Sequence, residues 1–128
     1  MESVVTFLLT SKPEAALAFF RDTLGFNFLR DDGFALVFDM KGVLLRIGKM
    51  PSVTPAQHTV LGWETSRIES AVDELVQKSV VFERYPNMGQ DPRGIATFHG
   101  GDKVAWFKDP DGNVLSLSQH VAAKNPAS

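Results

Sequence analysis

The sequence predicts an α+β protein made of two βαβββ modules, and three observations lead to this prediction. Each half of the 128-residue chain opens with an apolar, β-branched run that leads into a helical pattern. Three further strand patterns follow each helix. The Ser-x-x-Glu sequence that begins at Ser11 returns at Ser66, a constant offset of 55 residues. An apolar fraction of 44% and a charged fraction of 22% suit one globular domain, expected over residues 1–121.

The first module is expected over residues 3–49. Residues 4–10, "VVTFLLT", predict a strand, and Ser11 and Glu14 have the spacing of a capping box at the start of a helix. Gly25 is placed to end that helix in the left-handed conformation. The helix is expected to bury a face that consists of Leu17, Phe20 and Leu24. The three strands that follow are predicted at Phe26–Arg30, Phe34–Met40 and Val43–Gly48.

The second module is expected over residues 58–120, after a linker of residues 50–57 that contains two prolines. Residues 58–65 predict its first strand, and Ser66 with Glu69 repeats the capping-box spacing. A polar loop is expected over residues 86–102, and a flexible tail over residues 122–128. The helix is expected to bury Ile68, Val72 and Leu75. The remaining strands are predicted at Val80–Tyr85, Lys103–Lys108 and Asn113–Gln119.

The last two strands are joined by Asp109-Pro110-Asp111-Gly112. Asp, Pro and Gly at the first, second and fourth positions are typical of a type I turn. We therefore expect Asp109 and Asp111 to act as turn residues.

Composition excludes several classes of function. The net charge is −2 and basic residues form no cluster, which argues against a nucleic-acid partner. The chain contains no apolar stretch long enough to cross a bilayer, so no membrane partner is expected. It has no cysteine, which suits a reducing compartment, and its N-terminus lacks a signal-peptide pattern. The expected location is the cytoplasm.

The chain resembles the vicinal oxygen chelate superfamily of glyoxalases, bleomycin-resistance proteins and extradiol dioxygenases. The resemblance rests on the two modules, on "FFRDTLGF" at the end of the first helix and on "DPDGNVLSL" at the last hairpin. The resemblance covers residues 4–119 and extends to small bacterial glyoxalase-like proteins. It implies that the modules form an incompletely closed, eight-stranded mixed barrel whose concave side holds a small organic molecule. It also implies a homodimer.

Metal-dependent members of that superfamily carry ligands on the first and last strand of each module. The corresponding positions here are Val5, Leu45, Val60 and Ser116. Divalent metals in such a site need imidazole or carboxylate donors, so we expect no metal and no cofactor. A register shift of two residues would place His58 at a ligand position, but one imidazole makes at best a weak site.

The concave side is then an apolar pocket with a few polar groups. By strand alternation, Val5, Phe7 and Leu9 are expected to share a face with Leu45. For the aliphatic members, simple core packing is the favoured interpretation, since Val, Leu and Ile are mostly core residues. The predicted ligand-binding residues are Phe7, Leu45, His58, Val60, Trp106, Ser116 and Ser118.

Two functions remain open from the sequence. The first is a protein that has lost the metal ligands and binds a small organic molecule, as the antibiotic-sequestering relatives do. The second is a glyoxalase-type lyase or isomerase that uses a metal or acid–base chemistry around His58, with His99 of the long loop as a second candidate. Whether the protein is an enzyme is left open.

Overall fold

The computed structural model describes residues 1–121, which fall into two compact units. The first unit comprises Met1–Pro55 and Asp109–Gly112, and the second comprises Ala56–Lys108 and the chain from Asn113 onward. The eight strands form two four-stranded mixed sheets, one from each βαβββ module. This confirms the predicted α+β class. The tail predicted from Ala122 lies outside the described residues, and no helix among the described residues is long and apolar enough to span a membrane.

The first sheet has the strand order β1-β4-β3-β2. Strand β1 is parallel to β4, whereas the β2–β3 and β3–β4 pairs are antiparallel. This leaves β3 in the interior of the sheet, and all but one of its side chains are buried. The elements are β1 (Val5–Thr10), α1 (Pro13–Ala18), β2 (Asn27–Asp31), β3 (Ala35–Met40) and β4 (Val43–Lys49).

The first helix changes its hydrogen-bond pattern partway along. After α1 it continues as a π-helical turn, Phe19–Thr23, and Leu24 N donates to Phe19 O across five residues at 2.9 Å. Phe20, on this turn, is fully buried, and its ring centroid lies 5.9 Å from that of Phe38 on β3. Burial of one such ring stabilises the fold by about 2 kcal/mol. Gly25 ends the helix at φ +78°, as predicted.

The start of α1 is held by the Asp109–Gly112 turn, which belongs to the first unit. The carboxylate of Asp111 accepts hydrogen bonds from the Ser11 backbone N at 2.8 Å, from Ser11 Oγ at 3.0 Å and from Thr10 Oγ1. Thr10 Oγ1 in turn accepts from Lys12 N at 2.9 Å. The predicted capping box is wrong: Ser11 bonds to Asp111, and the helix begins after Lys12 without a side-chain cap of its own.

The Asp109–Gly112 turn itself has the predicted chemistry. Gly112 N donates to Asp109 O at 3.0 Å, which is the bond that closes a β-turn, and Asp111 N donates to Asp109 Oδ1 at 3.0 Å. Gly112 has a φ of +87°, and a Cβ there would lie 3.2 Å from Pro55 Cγ. Asp109 and Asp111 are therefore turn residues, and Asp111 has the added task of anchoring the first helix.

The second sheet has the strand order β5-β8-β7-β6. Strand β5 is parallel to β8, and the remaining pairs are antiparallel. Helix α2 packs on β7 and β8 and buries Ile68 and Val72, two of the three residues expected on its apolar face. The elements are β5 (Thr59–Glu64), α2 (Ile68–Gln77), β6 (Ala96–Thr97), β7 (Lys103–Lys108) and β8 (Val114–Gln119).

Helix α2 also starts without the predicted capping box. Ile68 N donates to Gln119 Oε1 at 2.8 Å, and Arg67 N donates to Thr65 Oγ1 at 3.1 Å. Thr65 therefore repeats the role of Thr10 in the first module, at the same offset of 55 residues. The repeat of the two modules extends to this local hydrogen bond, although the Ser-x-x-Glu pattern marks the helix starts without capping them.

The strand predicted at Val80–Tyr85 is wrong. Only Phe82 makes an isolated bridge, to Phe107, and Glu83 N donates to Trp106 O at 2.8 Å. The other end of β7 pairs with β6, which lies inside the predicted loop. Two segments thus lie beside the same edge of β7: Phe82 with Glu83 at one end and β6 at the other. The chain of residues 84–95 connects them. Pro86 and Pro92 lie in this connecting chain and have no N–H to donate to a ladder.

Candidate functional site

The second sheet has two faces with different environments. Gln119 caps α2 and Lys103 forms an ion pair with Glu69 on α2 at 2.9 Å, so their face is the helix side. Strand alternation places the buried side chains of Leu115 and Phe107 on that side as well. We call the opposite side the far face of the second sheet.

Trp106, Ser116 and Gly62 form one row across the far face. Trp106 is the cross-strand partner of Ser116, which is the partner of Gly62, and paired residues of neighbouring strands point to the same side. Ser118 lies on the same face, beside Glu64. This register places Trp106, Ser116 and Ser118, three of the predicted ligand-binding residues, on one face of the sheet.

Within this row, Gly62 leaves room that Ser116 occupies. A Cβ at Gly62 would lie 2.5 Å from Ser116 Oγ and 3.3 Å from Ser116 O, so no larger residue fits without displacement. Ser116 is buried, with 7% exposure, whereas Trp106 is half-buried. Side-chain size therefore decreases along the row, from the indole of Trp106 to the hydroxymethyl group of Ser116 to the hydrogen atom of Gly62.

Tyr85 completes an aromatic corner with Trp106. The two ring centroids are 5.4 Å apart and the ring planes are inclined at 82°, which is the edge-to-face arrangement that aromatic quadrupoles favour. The Tyr85 side chain is 37% exposed. Tyr85 is not among the predicted site residues, because only the return of the chain past Trp106 at Glu83 brings the two rings together.

On the first sheet, Phe7 and Leu45 lie on opposite faces. Phe7 pairs with Arg46, and Leu45 pairs with Phe38, whose ring contacts the helix residue Phe20. Leu45 is fully buried, while Phe7 is 69% exposed. The prediction that they share a face is wrong by one residue of register, and a slip of one residue reverses the face of every side chain in a strand.

Arg46 is therefore the polar neighbour of Phe7. Its guanidinium Nη1 lies 2.8 Å from Asp32 Oδ2. Asp32 also accepts hydrogen bonds from Phe34 N at 3.0 Å and Ala35 N at 2.9 Å. The two backbone donors, followed by Arg46, lower the pKa of Asp32 to about 2. Arg46 is thereby fixed beside the carboxylate of Asp32, the residue that follows β2.

Three other predicted site residues are exposed on the second unit. Val60 is 39% exposed and falls in an irregularity of β5, because Thr59 and Leu61 pair with consecutive residues of β8. His58 precedes β5 and His99 lies in a tight turn closed by a hydrogen bond from Gly101 N to Phe98 O at 2.9 Å. Their roles as ligand contacts or as catalytic groups stay predictions.

The four positions to which the resemblance assigns metal ligands carry neither imidazole nor carboxylate. Val5, Leu45 and Val60 have no donor atom, and Ser116 offers one hydroxyl. Across residues 1–121, no group of three or more His, Asp or Glu side chains is placed to hold a metal.

A histidine–carboxylate pair that sequence reasoning missed lies at the end of the second sheet. His120 Nδ1 is 2.6 Å from Glu64 Oε1, and His120 N donates to Glu64 Oε2 at 2.8 Å. Both side chains are about half exposed, at 53% and 55%. A carboxylate at Nδ1 orients an imidazole and leaves Nε2 to face other groups. The parallel pairing of β5 with β8, which brings the ends of the two strands together, was the signal that could have found it.

The chain belongs to the Glyoxalase/Bleomycin resistance protein/Dioxygenase superfamily, whose family model matches residues 3–117. Among curated protein sequences, no significant match was found.

Solved structures share the fold at low sequence identity. A superfamily member from Sphaerobacter thermophilus DSM 20745 is 21% identical, with a TM-score of 0.73 over 94% of this chain and 98% of that one. TnmS3, an antibiotic binding protein from Streptomyces sp. CB03234, is 22% identical, with a TM-score of 0.69 over 94% and 97%. Lactoylglutathione lyase from Agrobacterium tumefaciens is 15% identical, with a TM-score of 0.70 over 91% of each chain.

Proposed function

We propose that this protein binds a small organic molecule with a planar aromatic part on the far face of its second sheet. The observation that carries the proposal is the row of Trp106, Ser116 and Gly62, in which small residues lie beside an indole. A flat ring can lie against the indole above these small residues, with the Ser116 and Ser118 hydroxyls as hydrogen-bonding partners. The neighbour TnmS3 is an antibiotic binding protein, which supports a binding role for this fold.

The remaining predicted contacts have unequal support. His58 and Val60 are exposed on the second unit and stay available for a ligand, so we keep them in the proposal. Phe7 is exposed on the first sheet, and its contact with a ligand stays a separate prediction. Leu45 is fully buried on the helix side of the first sheet, and we expect it to act through packing alone. Loss of the metal ligands is part of the same proposal, because none of the four positions carries a carboxylate or an imidazole.

The test uses tryptophan fluorescence, and the chain has two tryptophans. Trp63 stacks on Phe107 with ring centroids 6.4 Å apart, and strand alternation places it on the helix side. Trp63→Phe therefore leaves Trp106 as the reporter of the far face, and Trp106→Phe is the matched control. Both variants are titrated with planar aromatic compounds and with aliphatic compounds of similar hydrophobicity. We expect saturable quenching by aromatic compounds in Trp63→Phe alone. No quenching and no change in Tm across the panel would contradict the proposal.

A second candidate, a lyase or isomerase of the glyoxalase type, is favoured by the Glu64–His120 pair. Glu64 orients the His120 imidazole at 2.6 Å, and such a group can act as a general acid or base. His120→Gln keeps a polar side chain but removes proton transfer. Loss of turnover with binding retained would support catalysis, whereas full turnover in His120→Gln would eliminate this pair as the acid–base group.

We further propose that the chain forms a homodimer through the first sheet. Strand β1 is an edge strand, and one of its faces exposes Val5, Phe7 and Leu9 by 38%, 69% and 47%. An edge strand with an exposed apolar face favours association with another chain. Sedimentation equilibrium should give a molecular mass of twice the 14.1 kDa chain mass, and the Phe7→Lys variant should sediment with the mass of a single chain. An unmodified protein that sediments as a monomer would refute this. The cytoplasmic location stays a prediction.

A further inference from the structure

The geometry points to Gln90 as the positioning residue of the aromatic corner, a role that rests on no sequence motif. The Gln90 side-chain amide bonds to the backbone at three places. Its Oε1 accepts from Tyr85 N at 2.7 Å, and its Nε2 donates to Glu83 O and to Gly94 O, both at 2.8 Å. A primary amide has two donor hydrogens, and here both of them are used.

Gln90 takes over where the β-ladder stops. The segment that contains Phe82 makes a ladder-type bond to β7 from Glu83 N to Trp106 O at 2.8 Å. After it, Tyr85 N donates to Gln90 Oε1 and Glu83 O accepts from Gln90 Nε2, so the Gln90 amide supplies the acceptor and the donor that a neighbouring strand would provide. The chain from Trp106 through Glu83 to Tyr85 is thereby fixed by hydrogen bonds at each step.

The surrounding loop is built to hold Gln90 in this place. Gly94 has a φ of +90°, and a Cβ there would lie 3.3 Å from Phe82 Cβ and 3.9 Å from Gln90 Nε2. Asp91 closes the adjacent turn, with Gly94 N donating to Asp91 O and Ile95 N donating to Asp91 Oδ1, each at 2.9 Å. Arg93 ties the loop to Asp73 on α2 at 2.9 Å. This segment of the loop expected over residues 86–102 therefore holds the backbone of Tyr85 in place.

The consequence concerns the shape of the corner. Tyr85 is 37% exposed and its ring meets that of Trp106 edge to face, so the Tyr85 side chain is partly open to solvent. With the backbone of Tyr85 fixed by Gln90, the ring keeps its near-perpendicular setting against the indole. If the proposed function is right, Gln90 sets which planar ligands fit between the two rings without touching the ligand itself.

The experiment uses the 128-residue chain with Trp63→Phe, so that Trp106 is the only tryptophan. Gln90→Ala removes all three hydrogen bonds, and Gln90→Glu keeps the acceptor but puts an oxygen against two carbonyls. Gln77→Ala, at the exposed end of α2, is the matched control. The first readout needs no ligand: near-UV circular dichroism and the emission maximum of Trp106. Both Gln90 variants should lose the signal of the Tyr85–Trp106 pair as Tyr85→Ala does, and Gln77→Ala should keep it.

The second readout is affinity for anthraquinone-2-sulfonate as a planar probe. Gln90→Ala should raise its Kd by about three- to tenfold, because the corner must be ordered upon binding. In a Tyr85→Ala background, Gln90→Ala should change the Kd no further. A purely structural role would weaken binding equally in both backgrounds and would overturn the inference.

The two proposals fail separately. An unchanged near-UV spectrum in a folded Gln90→Ala protein would refute the positioning role, whatever the probe does. A lost spectrum with no probe binding to any protein, including the unsubstituted chain, would uphold the positioning role and count against the proposed function. If Gln90→Ala does not fold, Gln90→Glu decides by the same spectrum.

Discussion

Ser116 Oγ occupies the space in which a Cβ at Gly62 would lie, at a separation of 2.5 Å. Gly62→Ala should therefore destabilise the protein by about 1–3 kcal/mol, the usual cost of overpacking a closely packed position. Ser116→Ala removes the hydroxyl that collides, so Gly62→Ala should cost clearly less in that background. Urea unfolding of the four proteins in this double-mutant cycle measures the coupling. Equal costs in both backgrounds would show that the collision is relieved elsewhere.

The carboxylate of Asp111 anchors the start of α1. Asp111→Ala leaves Ser11 N without its acceptor and frees Thr10 Oγ1, so we expect a loss of about 1–3 kcal/mol in the free energy of unfolding. Asp39→Ala is the control, because Asp39 Oδ1 accepts one exposed hydrogen bond from Gly42 N and its loss should cost about 0.5 kcal/mol or less. Denaturation midpoints compare the two, and similar midpoints would contradict an anchoring role.

Gln119 has the corresponding task for α2. Gln119→Ala deletes the acceptor of Ile68 N and should cost about 1 kcal/mol, as the loss of a helix cap does. Gln119→Glu keeps a side-chain oxygen at the same reach and should retain most of the stability. Thermal unfolding monitored by far-UV circular dichroism is the measurement. A Gln119→Glu protein as unstable as Gln119→Ala would show that the amide is needed for another reason.

Acid stability should depend on Asp32. Its pKa is about 2 in the folded protein, below the ordinary value of 3.8, so between these values the unfolded chain binds more protons. Stability from Asp32 is therefore present above about pH 4 and is lost as the pH falls through about 2. Asp32→Asn should flatten the pH dependence of unfolding in this window.

Arg46→Gln refines that measurement. The hydrogen bonds from Phe34 N and Ala35 N are the larger causes of the shift, so removing the guanidinium should flatten the pH dependence only in part. Hydrogen bonds from Lys49, Lys103 and Arg93 also lower the pKa values of Asp31, Glu69 and Asp73, and a residual acid sensitivity is expected in every variant. A slope unchanged in Asp32→Asn would refute the assignment.

Much of the architecture follows from local sequence patterns. The apolar runs, the helical periodicity and the offset of 55 residues predict both modules, and the "DPDG" turn and the end of the first helix at Gly25 are as expected. That Ser116 and Ser118 share a face of their strand was also predicted, because strand alternation is a property of the chain itself. Membership of the superfamily was predicted from the same motifs and is confirmed over residues 3–117.

Other features depend on pairings between distant segments, which local patterns do not contain. The predicted face of Leu45 was wrong because a shift of one residue in register turns every side chain of a strand to the opposite face. Only the pairing of Leu45 with Phe38 decides which face it occupies. The Glu64–His120 pair needs β5 beside β8, and the aromatic corner needs the chain at Glu83 to return to Trp106. The sequence by itself determined the two modules and the alternation of side chains along their strands. The tertiary structure decided register, helix anchors and neighbours of Trp106, because hydrogen bonds between residues far apart in the chain set all three.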